Sequence, residues 1–296
     1  MRKVLYTTSR EVYEGLQFLS HAFELRTREE LITPLQAQQT IIIGGNGYRH
    51  HDAIDLVKAV NMPITYVHID AHSDRLGLPP EQIYDYFNFT FGISALPNVA
   101  EIIYLGVDTR QVVTSSALQD LLMHCRVYGN GLCSSFYKEV FQGHEDLEDV
   151  ALFDREAAAR AFRTIGVMPH LYPELERAIA KNGSVSSYRV RPSSLISRAC
   201  LMLFFKRISE FDPNSIKTEG VYISIDVDVI KPEEGIPIGD DFSTGSLSVE
   251  ALANLLSSIS RHKRIVATDI HGIDLKEVPK SESVQHLLEK VAYSLS

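Results

Sequence analysis

Long apolar runs are missing from this chain. Nothing in it approaches the roughly 18 consecutive apolar residues of a membrane span, so no transmembrane role is expected. Cysteine is scarce: the 3 residues Cys125, Cys133 and Cys200 are odd in number and show no CxxC spacing. That excludes a disulfide framework and a cysteine zinc site, and it fits a reducing cytoplasm. Positive charge is also short. Lys and Arg number 29 against 38 Asp and Glu, a net charge of -9, which argues against nucleic acid or anionic membrane as a partner and suits a cationic one. The opening Met1-Arg2-Lys3-Val4-Leu5-Tyr6 turns polar too soon for a signal peptide, so a cytoplasmic location is expected. There is no internal repeat and no low-complexity tract. What remains is ordinary globular material: 296 residues, 45% hydrophobic and 23% charged, enough for one large α/β domain or two small ones.

Hydrophobic patterning favours the single domain. Strands are expected at Val4-Leu5-Tyr6, Thr40 to Ile43, Pro63 to Ile69, Ile102 to Val107, Val221 to Asp228 and Ile265 to Ile270. Helices are expected around Glu11 to Phe23, Ala53 to Val60, Ser115 to Cys125, Val249 to Ser260 with Ser246 or Ser248 as cap, and Ser283 to Leu295. Strand, glycine turn, helix and strand in succession are the signature of a parallel sheet. Residues 130–215 read as a helical and loop insertion, with helical stretches at 145–162, 172–180 and 195–208 and a strand at Val185 to Val190, inside one domain spanning 1–296.

Chemistry concentrates in two stretches. Val67-His68-Ile69-Asp70-Ala71-His72-Ser73-Asp74 carries metal-capable side chains at alternate positions. On a strand, residues two apart point the same way, so Asp70 and His72 are expected to project from one face, with Asp74 just beyond the strand end. Such a cluster suits Mn²⁺, Fe²⁺ or Zn²⁺; taken alone, it also reads as a buried histidine with capping acids at a strand end. Val221-Tyr222-Ile223-Ser224-Ile225-Asp226-Val227-Asp228 then supplies a second doublet, costly to bury in an apolar strand without a cation. His50, after the glycine turn Gly44-Gly45-Asn46-Gly47, completes the set. Open α/β sheets place their sites at such strand ends. Six ligands with four carboxylates exceed the needs of one open catalytic ion and suit two ions about 3.5 Å apart.

These residues resemble the ureohydrolases, the family of arginase and agmatinase. Asp70-Ala71-His72-Ser73-Asp74 matches the family's D-A-H-x-D, and Ser224-Ile225-Asp226-Val227-Asp228 its S-x-D-x-D. Pro237, Gly239 and Gly245-Ser246-Leu247 echo a later turn, and Gly44-Gly45 followed by His50 is similar to G-G-x-H with three extra residues. The resemblance implies a three-layer arginase-like fold, a mainly parallel sheet with helices on both faces. It further implies a dimanganese site, with His50, Asp70, Asp74 and Asp226 on one Mn²⁺ and Asp70, His72, Asp226 and Asp228 on the other. A bridging hydroxide would attack a guanidinium carbon, and Asp74 would relay a proton to the leaving amine, giving urea and an amine.

The departures bear on substrate. Lys231 stands where the family continues with an acid, and Tyr86 to Gly92 is an aromatic loop in place of its second-site histidine, with Asn88 the candidate polar contact. The family's D-I-x-E, whose glutamate grips the guanidinium, reads Asp269-Ile270-His271-Gly272 here. Either Asp274 or Glu277 is then expected to take over the grip or the substrate is not a standard guanidine, with His271 either facing substrate or held in a structural hydrogen bond. His50-His51-Asp52-Ala53-Ile54 and Val67 to Asp74 resemble the peptide arginases, which convert arginine to ornithine inside ribosomally made peptides. A peptide substrate is therefore expected. The rivals are a small-molecule ureohydrolase acting on arginine, agmatine or another guanidine, an arginase-fold amide hydrolase or deacetylase, and a binding module that kept only its metals. His68 reads as a packing residue more than as a partner of a ligand, and Arg49 as a salt bridge. Oligomeric state is not legible, and a homo-oligomer stays open.

Overall fold

Largely apolar runs of six to seven residues, ending in or followed at once by glycine or acid, build a parallel sheet in the computed structural model. The structure describes residues 3–7, 23–27, 40–45, 47–72, 74, 84–86, 88–107, 126–129, 206–238, 245–274 and 280–295. The chain divides into two compact units, Met1–Gly106 with Asp212–Ser296, and Val107–Phe211. Strands are numbered along the chain: β1 (Lys3–Thr7), β2 (Phe23–Thr27), β3 (Thr40–Gly45), β4 (Ile64–Ile69), β5 (Val99–Val107), β6 (Arg126–Gly129), β7 (Lys206–Arg207), β8 (Gly220–Asp226) and β9 (Arg264–His271). In the first unit they lie in the order β2-β1-β3-β9-β8-β4-β5, and every pairing is parallel. In the second unit β6 and β7 pair in parallel, Tyr128 beside Lys206.

Every residue of β4 and β8 is buried, the mark of a parallel sheet covered on both faces. Four helices matter for that cover: α1 (Ala53–Lys58), α2 (Phe89–Ser94), α3 (Val249–His262) and α4 (Glu282–Ser294). Helix α3 starts where Ser248 Oγ accepts from the Ala251 N–H at 3.1 Å. Its buried residues Val249, Leu252, Leu256 and Ile259 recur at helical spacing and face β9 and α4. Helix α4 answers with Val284, Leu287, Leu288 and Val291, capped by Ser281. Each such side chain contributes about 1.5–3 kcal/mol by leaving water. Helices α1 and α2 pack against each other so closely that a Cβ on Gly92 would crowd Ile54.

Three expectations need correction. Phe23 begins strand β2 and does not end a helix; Phe23-Glu24-Leu25-Arg26-Thr27 alternates apolar and polar residues, the period of a strand. The expected aromatic loop becomes a helical turn from Phe89, whose buried ring is needed against the neighbouring histidines. At the end of the expected helix 195–208, Lys206–Arg207 is a strand and Ile208–Glu210 a tight turn. The helices expected at 11–22, 115–125, 145–162 and 172–180, the strand at 185–190 and most of the 130–215 insertion lie outside the described residues.

Candidate metal centre

Four adjacent strands, β3, β9, β8 and β4, deliver the chemistry from their carboxyl ends. The chain leaves β3 and reaches β4 with β9 and β8 inserted between them later, so this is a point where strand order switches, the usual place for a site. After β3, the turn Gly47–Asp52 brings His50 in, 1% exposed. Strand β4 ends at Ile69, and Asp70, His72 and Asp74 follow in bends. Asp226 closes β8, and Asp228 sits in the tight turn Val227–Val229. The strand alternation expected at Asp70 and His72 is therefore absent. They converge because the backbone folds back: the His72 N–H donates to Asp70 Oδ1 at 2.6 Å and the Ala71 N–H to Asp228 Oδ1 at 3.1 Å. Likewise the Asp228 N–H donates to Asp226 Oδ1 at 3.0 Å.

The six residues meet. His50 Nδ1 lies 3.5 Å from Asp70 Oδ2, 3.4 Å from Asp74 Oδ2 and 3.5 Å from Asp226 Oδ2. His72 Nδ1 lies 2.5 Å from Asp228 Oδ2 and 3.5 Å from Asp70 Oδ1. Asp70 thus presents one oxygen to each imidazole. Asp74 is held where it is at a cost: its φ of 45° makes it the one residue other than glycine with left-handed backbone among the described residues. Thr90 secures it, its N–H and Oγ1 both donating to the Asp74 carbonyl at 3.2 and 2.7 Å.

Behind His50 runs a hydrogen-bonded row that the sequence reading did not assemble. Ser224 Oγ donates to Asp269 Oδ1 at 2.5 Å, and the Tyr222 hydroxyl donates to Asp269 Oδ2 at 2.6 Å. Ser224 has spent its only hydrogen, so its oxygen, 2.7 Å from His50 Nε2, accepts the Nε2–H. That fixes the tautomer and turns the Nδ1 lone pair toward the three carboxylates. His68 was read as packing, but its Nε2 lies 3.2 Å from Asp70 Oδ2. The shared parity of His68 and Asp70 on either side of Ile69 was the available signal.

Electrostatics show what this arrangement demands. Burial pushes the Asp70 carboxyl up, but the imidazoles of His68, His50 and His72 outweigh it and hold it well below the usual range. Burial, with Asp70 alongside, pushes Asp74 up to about 6. Burial together with Asp226 and Asp70 raises Asp228 well above its ordinary value. Burial lowers the His72 imidazole, but Asp228 and Asp70 pull it up to about 12. Four carboxylates crowd together among three imidazoles, and the excess negative charge calls for cations. The donor set fits divalent ions: His50 Nδ1 is buried, makes no hydrogen bond, and faces oxygens from three different aspartates. Ligand atoms about 3.4 Å apart are what bonds of ~2.1 Å at tetrahedral angles produce.

The remaining expected residues sit as follows. His271 is 1% exposed and stacks on His50 with ring centroids 4.7 Å apart, in a space that exists because residue 44 is glycine; a Cβ there would overlap the His271 ring. Asp274 is partly exposed, its N–H donating to the Pro237 carbonyl at 3.5 Å. Asn88 is buried in the turn before α2, where its side-chain carbonyl accepts from the Asp85 N–H at 2.8 Å. Glu277 lies outside the described residues. Lys231, in the family's acid position, pairs with Glu234 at 3.3 Å.

The architecture is an arginase-like α/β fold. Arginase from Bacillus subtilis has it: the two superpose with a TM-score of 0.51 at 9% identity, covering 100% of this chain and 98% of that one. Agmatine ureohydrolase of Thermoplasma volcanium gives a TM-score of 0.48 at 14% identity, over 99% of this chain and 89% of that one. Formimidoylglutamase from Bacillus subtilis gives 0.45 at 12% identity over 96% of this chain, which spans only 66% of that protein. No protein-family model matches the sequence, and no curated protein does. At these identities the likeness is one of fold.

Proposed function

We propose that this protein is a metal-dependent hydrolase of guanidinium carbon–nitrogen bonds, converting arginine residues in a ribosomally made peptide to ornithine with release of urea. The observation that supports it is the convergence of His50, Asp70, His72, Asp74, Asp226 and Asp228 at the carboxyl ends of neighbouring strands. His50, Asp70, Asp74 and Asp226 would hold one divalent ion; Asp70, His72, Asp226 and Asp228 would hold the other. With four carboxylates to two imidazoles, Mn²⁺ is the first choice. A pair of such ions, when bound, lets water supply a nucleophile at neutral pH. The chain's own residues do the rest. Asp70 and Asp226 join the two halves, Ser224 and Asp269 orient His50, and Asp74, clamped by Thr90, carries a proton to the leaving amine.

The peptide reading draws on what surrounds the centre. Gly272 occupies the position of the family's gripping glutamate, with φ at 82°, and a Cβ there would overlap Asp226 Oδ1. No side chain fits there, so Asp274 or Glu277 would grip the guanidinium instead, and the peptide reading rests on the resemblance of His50-His51-Asp52-Ala53-Ile54 and Val67 to Asp74 to the peptide arginases. The test is urea release by the Mn²⁺-loaded protein from an arginine-containing peptide, free arginine and agmatine. Urea from the peptide alone, with ornithine found by mass spectrometry, supports the proposal. Urea from the small guanidines alone moves the substrate to them. Acetate or ammonia without urea points to an amide hydrolase, and no turnover in metal-replete protein sinks the enzymatic reading.

A further inference from the structure

One imidazole at the centre has no place in the ligand set just given. His68, in β4, is 0% exposed, and neither of its ring nitrogens makes a hydrogen bond. Its Nε2 nevertheless lies 3.2 Å from Asp70 Oδ2 and 3.6 Å from Asp74 Oδ2. Those are two of the three carboxylate oxygens that face His50 Nδ1. Donor atoms of His50, His68 and Asp70 all fall within 4.8 Å of one another.

A nitrogen this close to a carboxylate oxygen has two uses. As a hydrogen-bond donor it would aim its N–H at the oxygen, and here the geometry of a hydrogen bond is not met. As a fellow ligand it would aim its lone pair, like the oxygen, at a third point between them, and a separation of ~3 Å is then what a shared ion imposes. His50 Nδ1 shows the same signature: close carboxylate oxygens, no hydrogen bond, complete burial. The ring of His68 is also pinned. Phe89 and Tyr104 meet it edge-on with centroids 5.7 and 5.3 Å away, and it stacks with His50 at 5.2 Å. An imidazole buried without hydrogen bonds, pinned, and turned to two carboxylate oxygens is one that meets a cation.

We propose that His68 Nε2 is a further ligand of the ion beside His50, which is then held by His50, His68, Asp70, Asp74 and Asp226. This rests on the two-ion reading above, and the experiment separates the two. Metal-free protein is loaded with Co²⁺, and three measurements are made: ion stoichiometry and affinity by calorimetry, the visible cobalt spectrum, and the number of strongly shifted, exchangeable ring N–H signals in the proton NMR spectrum. Wild type is expected to bind two ions and show three such signals, one per coordinated imidazole. His68→Phe, which keeps the aromatic packing, should lose one signal, change the cobalt bands, and weaken the tighter ion by well over about a hundredfold, beyond what loss of an outer partner costs a metal site. Two ions with only two shifted signals in wild type overturn His68 as a ligand, whatever the variant does, and so does a variant with unchanged bands and affinity. No cobalt uptake by wild type overturns the metal centre itself and His68 with it. If His68→Phe does not fold, the wild-type signal count decides alone.

Discussion

The two halves of the candidate centre are both built of aspartates around histidine and are buried differently. Around His50, 1% exposed, the walls are rings: Phe89, His68 and His271 all lie against the imidazole, and Ser224 holds its far nitrogen. Around His72, 29% exposed, the ring has Asp228 and Asp70 on one side and solvent within reach. Burial decides how strongly a charge is felt and how easily it is exchanged. With ions bound as proposed, the inner half would keep its cation and the outer half would let a substrate approach, the asymmetry of a centre reached from one side.

Asp70 is the residue whose loss should erase the distinction altogether. Its two oxygens face His50 and His72 separately. Asp70→Ala should therefore empty both halves and reduce urea release by more than about a hundredfold, a larger loss than an outer partner causes. Elemental analysis alongside the assay checks this; a variant that retains two ions removes the idea that Asp70 joins the halves. The comparison is sharpened by paired variants. His50→Ala should lose the tighter ion and about 1–3 kcal/mol of stability, because the buried Ser224 oxygen loses its donor in a dry interior. His72→Ala should lose the weaker ion and cost less stability than His50→Ala, because Asp228 keeps the Ala71 N–H as a donor and has solvent within reach. Equal losses in both would mean that burial does not rank the halves.

A third variant tests whether sequence motif or space governs the substrate side. Gly272→Glu restores the family's D-I-x-E lettering, yet φ is 82° there and a Cβ would overlap Asp226 Oδ1. It should destabilise by about 1–3 kcal/mol from backbone strain and lower metal occupancy, without conferring turnover of free arginine. Soluble, metal-replete protein that hydrolyses free arginine would contradict this. Ser224→Ala is milder. It removes the acceptor that fixes the His50 tautomer and should weaken the inner ion by about tenfold, with little effect at His72.

The same contrast explains what was legible in the sequence. Asp70, His72, Asp74, Asp226 and Asp228 stood out because each doublet is local, two residues apart at the end of an apolar run. The stated reason was only partly right, since β4 stops at Ile69 and the convergence comes from bends and not from strand alternation. His68, Ser224 and Asp269 did not stand out as a group, because their neighbourhood is made by register. Ser224 pairs with His68 across β4 and β8 and with Asp269 across β8 and β9, and no stretch of one strand contains that information. The same holds for Gly44, whose lack of a side chain makes sense only once His271 lies against it. The parallel α/β architecture needed none of this; buried runs and glycine turns sufficed.

A carboxylate far from the centre supplies the smallest effect and the control. Glu250 on α3 accepts from Lys290 Nζ on α4 at 2.7 Å, on the exposed surface. The hydrogen bond and the charge of Lys290 hold its carboxyl below the ordinary value, the reverse of what burial does to Asp74 and Asp228. A folded-state pKa below the unfolded one means that the pair stabilises above the ordinary value of 4.5, and that this gain fades as pH falls through the depressed one. Lys290→Ala should thus melt slightly lower than wild type at pH 7, with the gap closing in acid and in high salt, because exposed pairs are weak and screened. Metal content should stay at the wild-type level throughout. A Lys290→Ala chain that loses its ions would mean that the α3–α4 contact supports the centre, and the burial contrast between its two halves would no longer account for metal retention on its own.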